Sequence, residues 1–264
     1  MELKQHLIPQ LKQLRLSGIL DTLEARSRQA IDEHWTYADF LERLLEDEVE
    51  RRQQKQLSLR LRRAELASDK TLETFDFTFN PTINRQRLYE LATCNFIRDK
   101  RNVLLCGPTG VGKSHLAQAL AHSACRAGFD VVFTNAHTML RHLNAGRADD
   151  TFERRLAGYV RPDLLAIDDF GLKPLVSPAP EDLYDVINER YEKASILITS
   201  NRAPSEWPNW FADPLLASAG LDRLAHDAHV LIITGPSFRA RTRKQLEQEV
   251  TLSPLSVVSQ PSGN

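Results

Sequence analysis

Apolar residues recur at helical spacing through the first quarter of the chain: Leu3, Leu7, Leu11 and Leu14, then Leu41, Leu44, Leu45 and Val49. No strand-like alternation interrupts them, so the spacing predicts an all-helical region over residues 1–68, with three helices. Pro9 is expected to end or kink the first, and Gly18 to punctuate the region. Thr36 with Asp39 three residues later has the form of a capping box opening a new helix. The pattern changes at Thr71. Phe75, Phe77 and Phe79 alternate with polar residues ahead of Asn80 and Pro81, which suits an extended connector and sets a domain boundary near residue 69.

Beyond the connector come short apolar runs at 102–106, 131–134, 164–167, 196–199 and 230–234, each bounded by turn residues. Such runs are what strands buried on both faces look like, and helix-length segments separate most of them. Strands alternating with helices imply right-handed crossovers. The expected fold class is therefore α/β: a five-stranded parallel sheet within residues 69–250, preceded by the small helical domain. From 251 onward, Ser253, Pro254, Pro261, Ser262 and Gly263 punctuate a segment too poor in apolar surface to fold, read as a disordered tail.

At 264 residues and 42% hydrophobic, the chain is long enough to build a folded core in such a domain. The 34 Lys and Arg nearly cancel the 35 Asp and Glu, so any basic surface must be local. Cys94, Cys106 and Cys125 are an odd number without a paired spacing, which fits neither a disulfide framework nor a zinc site and points to a reducing, cytoplasmic setting. The first residues lack the layout of a signal peptide, and no stretch approaches the uninterrupted apolar length of a membrane span.

The chemistry is concentrated in Gly107, Pro108, Thr109, Gly110, Val111, Gly112, Lys113 and Ser114, which form a G-x-x-x-x-G-K-[ST] loop. In this pattern glycines let the backbone wrap phosphates with its N–H groups inward, the lysine reaches the outer phosphates and the hydroxyl ligates Mg²⁺. The loop follows a buried run and opens a helical stretch beginning at His115, so a helix N-terminus faces the anion. ATP and Mg²⁺ are the expected cofactors, with His115 counted in the binding stretch. His115, His226 and His229 show no metal-ligand pattern.

A phosphate loop alone also fits a small-molecule kinase. The apolar run 164–167 ends in Asp168 and Asp169, which offer one acid to the Mg²⁺ shell and a second, Asp169, to polarise an attacking water. The same pair also reads as a strand stop before Gly171. Asn201 closes a further apolar strand and is placed to orient the lytic water, or stands in an ordinary strand-end turn. Phe75, Phe77 and Phe79 either line the adenine pocket or dock the connector onto the core.

Between Arg51 and Arg63 lie Arg51, Arg52, Lys55, Arg60, Arg62 and Arg63 and no acidic residue. At helical spacing most of these share one arc with Leu57, Leu61 and Ala64 opposite, which suits a helix lying along a DNA backbone. The alternative is a solvated helix whose basic face pairs with the preceding acids, Glu42, Glu46, Asp47, Glu48 and Glu50.

With the loop 107–114, the run Leu164 to Gly171 and the run Thr199 to Arg202 in this order, the chain resembles AAA+ ATPases of the DnaC and IstB group. The narrower features are Thr71 to Phe77 ahead of the core and the pair Asp168 and Asp169 followed by Phe170 and Gly171, and these make it most similar to IstB-like transposition helper ATPases. The resemblance implies Walker A roles for Lys113 and Ser114, Walker B roles for Asp168 and Asp169, and a sensor 1 role for Asn201. It further implies that Arg223 is an arginine finger donated to a neighbouring subunit and that Arg239 is sensor 2. The implied protein binds duplex DNA, forms an ATP- and DNA-dependent homo-oligomer and assists a cognate transposase; a DnaC-like helicase loader is the nearest alternative. Two features depart from the wider AAA+ pattern. Asp169 stands where a glutamate is usual, and the 30 residues after Thr234 are too few for a four-helix lid, so sensor 2 is expected on a short C-terminal helix.

Overall fold

The computed structural model describes residues 2–211 and 214–241, so the expected tail from 251 and the last residues of the expected ATPase domain lie outside them. The chain divides into two compact units between Arg63 and Ala64, against a boundary expected near 69. No helix among the described residues is long and apolar enough to cross a membrane.

The first unit holds α1 (Glu2–Gln13), α2 (Ser17–Asp32) and α3 (Tyr37–Arg63). Pro9 does not end α1. It withholds one amide donor, but bonds on its C-terminal side are unaffected, and Leu14 N–H still reaches Gln10 O at 2.9 Å. Thr36 and Asp39 do form a capping box: Asp39 N–H donates to Thr36 Oγ1 at 3.2 Å and Thr36 N–H to Asp39 Oδ2 at 3.1 Å.

Gly18, the second residue of α2, stands just past the interruption between α1 and α2 and is also a packing residue. A Cβ there would stand 2.7 Å from the Cα of Glu48 on α3, a separation only glycine tolerates. The close approach lets Gly18 N–H donate to Glu48 Oε2 at 2.6 Å, while Arg52 Nε donates to Glu48 Oε1 at 2.7 Å. Glu48 is only 4% exposed, and these bonds are what make burying its charge tolerable.

The second unit runs α4 (Arg85–Ala92), α5 (Asn95–Arg98), β1 (Val103–Cys106), α6 (Lys113–Arg126), β2 (Val131–Asn135), α7 (Ala136–Ala148), α8 (Phe152–Val160) and β3 (Leu164–Phe170). It continues with α9 (Ala179–Arg190), β4 (Ser195–Ser200), a 3-10 helix (Pro204–Trp210), α10 (Pro214–Ala225) and β5 (His229–Ile232). The five strands form one parallel sheet in the order β2-β3-β4-β1-β5. β1, β4 and most of β3 are buried, as their continuous apolar runs require of strands covered on both faces.

Because every strand points the same way, the segments leaving β1, β3 and β4 emerge at one edge of the sheet. Ligands in such sheets bind outside these carboxyl ends. The opposite edge is pinned by Arg190, 1% exposed, whose guanidinium donates to the carbonyls of Tyr159, Val160, Pro162, Asp163 and Ser195.

Candidate active site

The loop leaving β1 is shaped by its glycines, with φ of +149° at Gly107, +87° at Gly110 and +101° at Gly112. At Gly107 a Cβ would lie 1.9 Å from the carbonyl oxygen of Ile233, so no other residue fits without moving the end of β5. Val111 is buried and anchors the loop, while Pro108 and Thr109 form its exposed outer rim. Gly112 caps α6, a helix of 14 residues whose free N-terminal N–H groups make an anion site at the loop's inner wall.

Lys113, the first residue of α6, is 6% exposed and donates to Pro108 O at 2.8 Å and to Asn201 Oδ1 at 2.7 Å. Burial pushes its ammonium pKa down, and the charges of Asp169 and Asp168 work against that. Asn201 stands directly after β4, whose Ser200 lies beside Cys106 in the sheet register. The loop, the acidic pair and Asn201 therefore come together at one end of three adjacent strands.

The pairing of β3 with β4 is irregular between Ile167 and Phe170, and there Asp169 takes a left-handed backbone with φ of +56°. Thr199 links the two acids: its hydroxyl donates to Asp168 Oδ1 and accepts Asp169 N–H at 3.0 Å. Asp169 Oδ2 in turn accepts from Asn135 Nδ2 at 3.2 Å. Burial raises the Asp169 pKa, and the neighbouring Asp168 charge raises it further, while Lys113 and Arg239 oppose both. One carboxylate is thus held as a fixed acceptor, and the other is tuned towards taking a proton.

Asn135 is a site residue that the sequence reading missed. It is the last residue of β2, in register with Asp168, and its Oδ1 also caps α7 by accepting His137 N–H at 3.0 Å. A polar residue ending a short, largely apolar strand was the available signal.

The two arginines lie at opposite edges of the sheet. Arg239 follows Phe238, whose N–H donates to Gly110 O at 2.9 Å, and its charge is felt at both Lys113 and Asp169. Arg223 sits near the end of α10, next to Leu224, whose carbonyl accepts from Asn102 Nδ2 at 3.0 Å. Asn102 precedes β1, whereas Gly107 follows it, so Arg223 stands the length of a four-residue strand from its own phosphate loop. At about 3.3 Å per residue, that is on the order of 13 Å.

The connector packs against the same helix start. Phe75 meets His115 edge to face at a ring separation of 5.1 Å, and a Cβ on Gly112 would stand 2.8 Å from the Phe75 ring. His115 Nε2 donates to Thr71 O at 3.0 Å, so its imidazole fastens the connector. Phe79 packs on Phe238 at 5.1 Å, tying the connector to the segment that carries Arg239. Buried Asn80 closes the strap by donating to Thr234 O at 2.6 Å.

On α3 the basic run divides in two. Arg51 pairs with Asp21 and Arg52 with Glu48, so both belong to the packing of the helical unit. Among the described residues, Lys55, Arg60, Arg62 and Arg63 make no ion pair, and all but Arg60 are exposed. The preceding acids do not neutralise them: Glu46 pairs with Arg43 and Asp47 with Arg26.

The family model described as IstB-like ATP binding protein matches residues 9–246. An ATP-binding protein in an insertion sequence of Mycobacterium tuberculosis is 41% identical over 234 residues, covering 88% of this chain and 93% of that protein. Among solved structures, the replication initiator DnaA bound to AMPPCP and single-stranded DNA aligns with a TM-score of 0.53 at 22% identity, over 73% of this chain and 59% of that one. The DnaC helicase loader aligns with a TM-score of 0.53 at 18% identity, over 63% of this chain and 97% of that one. At these identities the likeness to both structures is one of fold.

Proposed function

The chain belongs to the IstB-like ATP-binding protein family and is a P-loop ATPase, and from that premise we propose that it assembles with ATP on duplex DNA and assists a transposase. Lys113 and the loop N–H groups hold the phosphates, with Arg239 adding a second cation from the same subunit. Asp169 takes the proton of the attacking water, and Asn201 and Asn135 fix the positions of Lys113 and Asp169. The donor set suits Mg²⁺: the Ser114 hydroxyl and the Asp168 oxygen not bonded to Thr199 are hard ligands, and among the described residues no trio of His, Cys, Asp or Glu forms an all-protein cage. When bound, Mg²⁺ supplies neutralisation of charge on the transferred phosphoryl group.

The observation that carries the reading is the position of Arg223. Every other predicted catalytic side chain gathers around Lys113, whereas Arg223 lies at the opposite edge of the sheet and cannot serve its own loop. Its planar cation is suited to a neighbouring subunit's phosphates, which ties hydrolysis to assembly. Lys55, Arg60, Arg62 and Arg63 supply a sequence-independent hold on DNA, and hydrolysis resets the assembly. The setting is the cytoplasm. ATP turnover and particle size, measured with and without duplex DNA, test the proposal: DNA-stimulated turnover and DNA-dependent assembly are expected. Indifference of both to DNA would sink it. Pull-downs against a transposase and a replicative helicase separate the proposed partner from that of a helicase loader.

A further inference from the structure

Among the described residues, Arg223 does not rest on a carboxylate. Asp99, Glu192 and Asp227 line the same cleft of about 350 Å³, yet among the described residues none pairs with it. Its Nη1 instead donates to the Tyr184 hydroxyl at 2.6 Å, and its guanidinium carbon lies 5.3 Å from the centre of the Tyr184 ring and 5.9 Å from that of Tyr191. Tyr184 projects from α9, whose Leu183, Val186 and Ile187 are locked in the core, and Tyr191 directly follows that helix. Both rings therefore stand on a fixed support.

The choice of partner has a chemical consequence. A carboxylate would neutralise the guanidinium and occupy its fork, and that pair would have to be broken before a phosphate could be bound. A phenol oxygen takes one of five N–H donors, and the ring faces attract the cation without cancelling its charge. We propose that Tyr184 and Tyr191 are positioning residues, an aromatic cradle that presents Arg223 as an intact, oriented cation to the neighbouring subunit. This rests on the reading of Arg223 as a residue acting across an interface.

The test uses the full chain with duplex DNA and Mg-ATP. Tyr184→Phe keeps the ring and deletes the hydroxyl, Tyr184→Leu removes both, and a thermal melt shows whether each is folded. Tyr184→Phe should lower kcat by about tenfold, the loss expected of roughly one positioning hydrogen bond, with KM and nucleotide affinity unchanged. Tyr184→Leu should lower kcat further. Mixing Tyr184→Phe with Lys113→Ala subunits should restore turnover, because the latter bring an intact cradle and Arg223 to the former's intact phosphate loop. Wild-type kcat in both Tyr184 variants, beside an inactive Arg223→Ala, would overturn the cradle and leave the finger. A loss that mixing does not restore would place the role of Tyr184 within its own subunit, also overturning the proposal. Wild-type turnover in Arg223→Ala would remove the reading on which the cradle stands.

Discussion

The Lys113 ammonium donates to the side-chain oxygen of Asn201 at 2.7 Å, joining the start of α6 to the residue that follows β4. The bond holds the lysine at the mouth of the loop and fixes the Asn201 side-chain amide beside it. Charge and orientation are thus supplied by different residues, and they should separate under mutation.

Lys113→Ala should weaken ATP binding by about 10- to 100-fold or more, since charged hydrogen bonds contribute about 1.5–3 kcal/mol each. Asn201→Ala should bind ATP within a few-fold of wild type and lose most turnover. Titration with a fluorescent ATP analogue alongside steady-state hydrolysis checks both. Equal loss of affinity in the two variants would contradict the division of roles.

Asp169→Asn should bind ATP and assemble but not hydrolyse. The pH profile carries a sharper expectation. Asp169 must be deprotonated to act as base, and burial with the adjacent Asp168 raises its pKa, so kcat/KM should fall at a higher pH than an ordinary carboxylate would give. Arg239 holds that pKa down. Arg239→Ala should therefore move the acid limb to higher pH, and movement to lower pH would show that another group titrates.

On α3, two neighbouring pairs of arginines should behave differently. Removing Arg62 and Arg63 together should leave the fold intact, weaken DNA binding, and flatten the plot of log affinity against log salt by about 0.9 for each phosphate no longer neutralised. Arg52→Ala should instead destabilise the helical unit by about 1–3 kcal/mol, because it takes a partner from buried Glu48. Salt-dependent DNA titrations and denaturant melts distinguish the outcomes; an unchanged salt slope in the double variant would remove these residues from the DNA surface.

Gly18→Ala introduces a methyl where Glu48 Cα is 2.7 Å away. Forced separation of α2 and α3 should cost about 1–3 kcal/mol in the melt of the helical unit, with ATP affinity unaltered. A variant as stable as wild type would show that the two helices do not approach this closely.

The strands were legible because each is a short apolar run bounded by turn residues, and β1, β3 and β4 are the ones buried on both faces; β3 runs furthest past its expected end, from Ile167 to Phe170, where its pairing is irregular. The capping box at Thr36 and the phosphate loop were legible because both are local patterns. Gly18 marks the start of α2 as its punctuation suggests, but its packing role was not legible because its partner, Glu48, lies 30 residues away. The same holds for Arg51, whose partner Asp21 is on another helix. Asn135 looks like a helix cap, which it is; its bond to Asp169 depends on β2 lying beside β3, a pairing no local pattern encodes. Arg223 was singled out by family resemblance alone, and its position at the far edge of the sheet follows from the strand order.

The measurement that bears most directly on a site completed by a neighbour is subunit mixing. Arg223→Ala and Lys113→Ala, each inactive alone, should regain ATP turnover when combined on duplex DNA, because an intact phosphate loop from the first then meets an intact Arg223 from the second. Turnover should be greatest near equal proportions. A mixture as inactive as its components at every ratio would contradict the action of Arg223 across a subunit interface.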